Sequence, residues 1–151
     1  MSNVKPLRIL IVEDEFLIAL ELESLLQDSG HDVVGIAATS DEAMALGQQL
    51  APDLAFVDIH LADGLTGIDV ARSLSAQHQV TVLFMTANAK RIPEDFAGAR
   101  GVIAKPYTER GVQEALAYVT AEQEHEPSTK DRMTFVPFDA KSRGNSSSKL
   151  P

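Results

Sequence analysis

Five short runs rich in apolar and β-branched residues recur along the chain, at 7–12, 33–37, 54–58, 80–86 and 101–104. Between them lie longer stretches in which apolar residues return every three or four positions. Runs spaced this way predict βα units wound around a parallel sheet. They are continuously apolar and do not alternate, which is the pattern of strands covered on both faces. The expected fold is α/β, a doubly wound sandwich.

The intervening stretches carry helix punctuation. A first helix is expected from about Asp14 to Gly30, with Ile18, Leu22 and Leu25 on one stripe, Glu21 and Glu23 away from it, and Gly30 as its C-terminal cap. A second follows Ser40 as N-cap and stops before Pro52, and a third runs from about Thr66 to Gln77. Pro93 opens a short fourth helix reaching Ala99. Thr108 caps a fifth, in which Val112, Leu116 and Val119 fall at helical spacing.

Beyond about Glu122 the composition turns to Glu, Pro, Ser, Lys and Gly, the character of a linker or tail. One apolar cluster interrupts it at 133–138, Met133-Thr134-Phe135-Val136-Pro137-Phe138. A segment of this length cannot build a core of its own. The organisation expected is one domain over 1–121 and a polar tail over 122–151, whose cluster packs back onto the domain or onto a neighbouring copy.

Charge narrows the partners. Residues 1–121 hold 17 acidic and 8 basic side chains and residues 122–151 hold 5 of each, so the formal charge of -9 sits on the domain. An acidic surface repels phosphate backbones, and no predicted helix gathers Lys and Arg on one face; a protein partner is expected and nucleic acid is not. Cysteine is absent, which excludes disulfides and thiolate metal sites. The run at 7–12 contains Arg8 and ends at Glu13 and Asp14, too short and too charged for a signal peptide or a membrane span. A cytoplasmic protein with no membrane association is expected.

Polar residues follow the ends of four of the runs. Glu13 and Asp14 come directly after the first, Asp58 closes the third, Thr86 the fourth, and Lys105 follows the fifth. Ligands of an open α/β sheet sit beyond the carboxyl ends of its strands, where strand order reverses. If the order is 2-1-3-4-5, three carboxylates, a hydroxyl and an ammonium meet at one rim. Two carboxylates ~5 Å apart repel by about 3 kcal/mol at an effective dielectric of 20, so such a cluster calls for a cation.

In this order and at these separations, Glu13-Asp14, Asp58, Thr86-Ala87 and Lys105-Pro106 resemble the response-regulator receiver family of two-component signalling, over roughly residues 7–121. The stretch Asp58-Ile59-His60-Leu61, followed by Gly64 and Gly67, is similar to that family's loop after the phosphorylated strand. The resemblance implies a flavodoxin-like, five-stranded parallel sheet of order 2-1-3-4-5. It implies Asp58 as phosphoacceptor, and Mg²⁺ held by Glu13, Asp14, Asp58 and the main-chain carbonyl of His60. Thr86 and the backbone of Ala87 would hold the phosphoryl group, and Lys105 would offset its charge, aimed by a cis bond to Pro106. The implied partners are a sensor histidine kinase or phosphotransfer protein, with a second copy of the chain as a further one.

Output would be by protein contact or by draining phosphoryl groups, without a separate output domain, and without enzymatic activity beyond the chain's own phosphorylation and dephosphorylation. Three features depart from the family, the first being that the loop from Asp58 to Gly67 is one residue longer than the commonest. Val102 stands where a Phe or Tyr is usual three residues before the lysine, and Ala62 replaces a common proline. Tyr107 is expected against the last helix, the histidines in loops or at the surface, and Gly64 and Gly67 in turns. A flavodoxin-like cofactor module is disfavoured because no Gly/Ser/Thr-rich loop follows the first strand. A pseudo-receiver used only for protein contact is opposed by the complete acidic set.

Overall fold

All five apolar runs become strands, β1 (Arg8–Val12), β2 (Asp32–Ala37), β3 (Leu54–Asp58), β4 (Thr81–Thr86) and β5 (Gly101–Ala104), and the tail cluster supplies another, β6 (Phe135–Pro137). The computed structural model describes residues 5–121 and 135–138; Met133 and Thr134 of the cluster lie outside them. Strand order is β2-β1-β3-β4-β5-β6. The first five pair in parallel as expected. The expected count of five is corrected to six, because β6 pairs antiparallel to β5 and places Phe135 opposite Ile103 and Val136 opposite Val102.

Period-two alternation sorts the strand residues between two cores. Ile9, Ile11, Leu54, Phe56, Leu83, Met85 and Ile103 face α1 (Phe16–Asp28) and α4 (Glu109–Ala121). Leu10, Val12, Ala55, Val57, Val82 and Phe84 face α2 (Ser40–Leu50) and α3 (Gly67–Gln77). Both layers of the sandwich are thereby filled. The short β6 and the residue after it contribute to each, Phe135 to the first core and Phe138 to the second. Burying each ring contributes about 1.5–3 kcal/mol.

Several local expectations shift. α1 starts at Phe16, and its buried stripe is Ala19, Leu22 and Leu26, with Ile18 and Leu25 only half-buried. Gly30 follows the helix with a positive φ of 92°, as a C-terminal glycine should. Thr39, not Ser40, caps α2, its hydroxyl accepting from the Glu42 N–H; Ser40 is the first helical residue and bonds Asp63. Thr108 caps α4 through the Gly111 N–H at 2.9 Å. No α-helix forms over 93–99. Two 3₁₀ turns, Ala89–Arg91 and Phe96–Gly98, take its place, and Phe96 and Ala97 have positive φ, a conformation that breaks a helix. His31 lies in the loop between α1 and β2, as expected of a loop or surface histidine, but it is buried there and accepts a hydrogen bond at Nδ1 from the Leu7 N–H. Among the described residues no helix is long and apolar enough to cross a membrane.

Candidate phosphoacceptor site

Parallel strands all point their carboxyl ends the same way, so β1, β3, β4 and β5 deliver their last residues to one rim. Glu13 continues β1, its N–H bonded to the Ala37 carbonyl at 2.9 Å, and its side chain turns inward and is almost fully buried. Asp14, the next residue, is exposed. Asp58 ends β3 with 6% of its surface exposed, and Thr86 ends β4 at 8%. Carboxylate oxygens of Glu13, Asp14 and Asp58 all lie within 4.8 Å of one another. Such a set of hard oxygen donors, one of them open to solvent, suits a small divalent cation that keeps part of its water shell.

Lys105 sits between the two buried carboxylates. Its Nζ donates to Asp58 Oδ2 at 2.9 Å and to Glu13 Oε1 at 3.0 Å. Its main-chain N–H donates to the Thr86 carbonyl at 3.0 Å, and the Lys105–Pro106 bond is cis. Burial pushes the Glu13 carboxyl up to about 7, against the Glu15 N–H and the Lys105 ammonium, which pull it down. Burial opposes the charge on Lys105, but the hydrogen bonds it donates to Asp58 and Glu13 outweigh that and hold the ammonium above its usual range. One cation thus faces three carboxyl groups, and the imbalance is acidic.

The loop leaving β3 is tightly tied. The His60 N–H donates to Asp58 Oδ1 at 3.2 Å. Leu61 and Gly64 exchange main-chain hydrogen bonds, Gly64 having a φ of 116°. Asp63 accepts from the Thr66 hydroxyl at 2.6 Å and the Ser40 hydroxyl at 2.7 Å. Gly67 is not a turn residue as expected. It opens α3 directly against the backbone of Asp58, where a Cβ would lie 2.0 Å from the carbonyl oxygen.

These residues border a cleft of about 580 Å³, lined by Asp14, Asp58, His60, Thr86, Ala87 and Lys105 among others. Glu13 stands behind it, reached through Lys105. Sequence reasoning missed Asn88, whose N–H donates to Thr86 Oγ1 at 3.0 Å and which also lines the cleft; a polar residue two places beyond the end of an apolar run was the available signal. Tyr107, expected against the last helix, packs on the core that α1 and α4 share, and its phenol also donates to the Ile18 carbonyl of α1 at 3.0 Å, so the ring secures the helix beside the cleft as well. Val102 is half-buried and paired with Val136, so no aromatic ring occupies that position of β5.

The model of the response regulator receiver domain matches residues 9–117. The chain belongs to this family. Relatives of the receiver include the phyllosphere-induced regulator PhyR of Methylorubrum extorquens, 39% identical over 72% of the chain and 42% of the relative. Another is the transcriptional regulatory protein PdtaR of Mycobacterium tuberculosis, 32% identical over 68% of the chain and 51% of the relative. The receiver therefore spans about half or less of the length of these curated relatives. Among solved structures, the PhyR receiver domain of Erythrobacter litoralis superimposes with a TM-score of 0.70 at 32% identity, over 85% of this chain and all of that one. The anti-anti-sigma factor PhyR of Bartonella quintana gives 0.70 at 32%, over 82% of this chain and 51% of that one. The receiver fold and the response-regulator class are thus established together.

Proposed function

We propose that this receiver accepts a phosphoryl group on Asp58 from a phosphohistidine of a sensor kinase or phosphotransfer protein, and passes the signal on by binding another protein. The observation that carries this is the placement of Asp58. Its carboxylate opens to the cleft, one oxygen oriented by the His60 N–H and the other paired with Lys105. In the transfer, a carboxylate oxygen attacks phosphorus in line, the P–N bond breaks, and its electron pair returns to the imidazole, which is protonated on leaving. Lys105 stands within hydrogen-bonding distance of the nucleophile and offsets charge gathering on the transferring oxygens. Thr86 and the Ala87 N–H border the same cleft and would hold the phosphoryl group once attached.

Glu13, Asp14 and Asp58, with the His60 main-chain carbonyl, would hold the divalent cation, for which Mg²⁺ is the fitting choice. When bound it supplies positive charge that makes the approach of an anionic donor to an acidic cluster feasible. A protein donor is further supported by Phe16, Leu17 and Leu20, which lie exposed on α1 next to the cleft residues Glu15 and Ile18. The relatives' named roles, regulators and an anti-anti-sigma factor, favour the same signalling class.

The test is labelling by radioactive acetyl phosphate with Mg²⁺, or by a phosphorylated kinase. Label is expected on the unaltered chain and not on Asp58→Asn, and it should vanish when Mg²⁺ is chelated. Full labelling of Asp58→Asn would refute the assignment.

A further inference from the structure

The chain's own segment 135–138 closes the β5 edge, and it is held from both faces of the sheet. Phe135 and Phe138 stand three residues apart, so their rings point to opposite faces. Phe135 enters the core beneath α1 and α4, its ring 5.3 Å from that of Tyr118. Phe138 enters the other core and stacks on Phe96 at 4.2 Å, while its N–H donates to the Arg100 carbonyl at 2.8 Å.

Phe96 belongs to the stretch that leaves the phosphoacceptor site. The near end of that stretch is Thr86, whose Oγ1 accepts from the Asn88 N–H at 3.0 Å. Residues 87–91 are exposed and tied only by short-range turns. The far end is different. Phe96, Ala97 and Gly98 follow one another at φ of 59°, 52° and 83°, a conformation disfavoured for the two that carry a Cβ. Something must hold it there. The Arg72–Asp95 ion pair at 2.6 Å is exposed on both sides, so its hold is weak. The Phe138 ring, stacked on Phe96 in the core that also takes Ala97, is the stronger one.

Taking Asp58 as the acceptor, the reading on which this rests, we propose that segment 135–138 is a strap that fixes the far end of this stretch in its unphosphorylated position. Strap docking and phosphorylation of Asp58 then oppose one another. To bond a phosphoryl oxygen, the Thr86 hydroxyl and the Ala87 N–H must turn toward the cleft, and Asn88, tied to that hydroxyl, is drawn after them. The slack in 87–95 is taken up and the pull reaches Phe96. A docked Phe138 resists it, and a lifted strap does not. β5 itself, Gly101–Ala104, has no aromatic residue, so Phe138 supplies the ring that meets the moving stretch. Linkage makes the effect reciprocal: whatever loosens the strap favours the loaded site by the same factor.

Beryllofluoride with Mg²⁺, a stable mimic of an acyl phosphate, is the probe, and bound fluoride is counted by ¹⁹F NMR. In the unaltered full chain, amide exchange at Phe135, Val136 and Phe138 should quicken roughly fivefold or more when the mimic binds, against the slowing that a ligand gives a fold as a whole. The chain has no cysteine, so Val102→Cys with Val136→Cys, directly opposed across β5 and β6, gives a single disulfide that locks the strap. Oxidised, this chain should bind the mimic roughly fivefold more weakly than when reduced, and Phe138→Ala should bind it more tightly than the unaltered chain by a similar factor. Equal affinity in the locked and reduced forms overturns the proposal, as does strap exchange that stays level or slows while fluoride is bound; a strap that only covers the edge gives those results. Bound fluoride in no form of the chain would instead refute Asp58 as acceptor, and the strap's regulatory role with it.

Discussion

Gly67 lies so close beneath Asp58 that any side chain on it would penetrate the Asp58 carbonyl, a Cβ falling 2.0 Å from that oxygen and 2.7 Å from the Ile59 Cα. The obstruction is backbone and cannot rotate away. Gly67→Ala is therefore expected to destabilise the domain by about 3 kcal/mol, the upper end of the usual overpacking cost. Gly64→Ala has open space around its Cβ and suffers only from its φ of 116°, a cost of about 1–2 kcal/mol. Urea unfolding of the two variants should give that order, and equal losses would mean the close approach is not what selects glycine at 67.

The acidic cluster predicts a response to metal. Mg²⁺ should raise the melting temperature of the unaltered chain, because an ion that binds only the folded state stabilises it. Asp14→Asn should reduce that rise without lowering the metal-free melting temperature, since Asp14 is exposed. Asp58→Asn should melt higher than the unaltered chain without metal, because it removes one of the clustered carboxylates and leaves the Lys105–Glu13 pair intact. Thermal melts with Mg²⁺ and with chelator check all three.

His31 predicts an acid-side loss of stability. Burial lowers its pKa from the ordinary 6.5, with the charge of Asp32 opposing, and its Nδ1 must stay unprotonated to accept from the Leu7 N–H. Below pH 6.5 the unfolded chain takes up a proton that the folded chain refuses. The contribution is therefore present above 6.5 and declines as pH falls through the lowered folded value. Protonation of Glu13, whose carboxyl is raised to about 7, works the other way across the same window, so the check is the difference between chains: from pH 7.5 to pH 5 the unaltered chain should lose stability relative to His31→Gln, which has no proton to take up.

Tyr107→Phe should cost about 1 kcal/mol, the worth of one hydrogen bond whose acceptor, the Ile18 carbonyl, is left behind. Burial, aided by the charges of Glu21 and Glu13, pushes this phenol up to about 12. Phenolate absorbance in the unaltered chain, minus that of Tyr107→Phe, should therefore appear only near that pH. A component titrating at 10 would place the ring in solvent.

The sequence carries the site more completely than it carries the cover over it. Glu13, Asp14, Asp58, Thr86 and Lys105 all sit at or just past the ends of apolar runs, and a parallel sheet leaves those ends no other place to go. The 93–99 stretch was misjudged for a physical reason. A helix of seven residues has little intrinsic stability, so tertiary contacts decide, and here the Phe96–Phe138 stack and positive φ at Phe96 and Ala97 prevail. The sequence points to the cluster packing back onto the domain or onto a neighbouring copy, but not to its forming a strand. Its partner strand is remote in sequence, and no local pattern encodes such a pairing. Thr39 and Ser40 are both able N-caps, and only the bonds that Ser40 donates to Asp63 separate them.

The two 3₁₀ turns between β4 and β5 give the segment after Thr86 an unusual mechanical character. Hydrogen bonds among its main-chain groups span only three residues, from Arg91 to Asn88, Ile92 to Ala89, Phe96 to Pro93, Gly98 to Asp95 and Ala99 to Phe96. A helix resists displacement because its ladder must move as a unit or melt. A string of separate turns can shift one hinge at a time, each at small cost. The stretch next to the cleft is thus the compliant part of an otherwise rigid sandwich, and amide exchange should be fastest there, with the central strands β1, β3 and β4 the slowest to open.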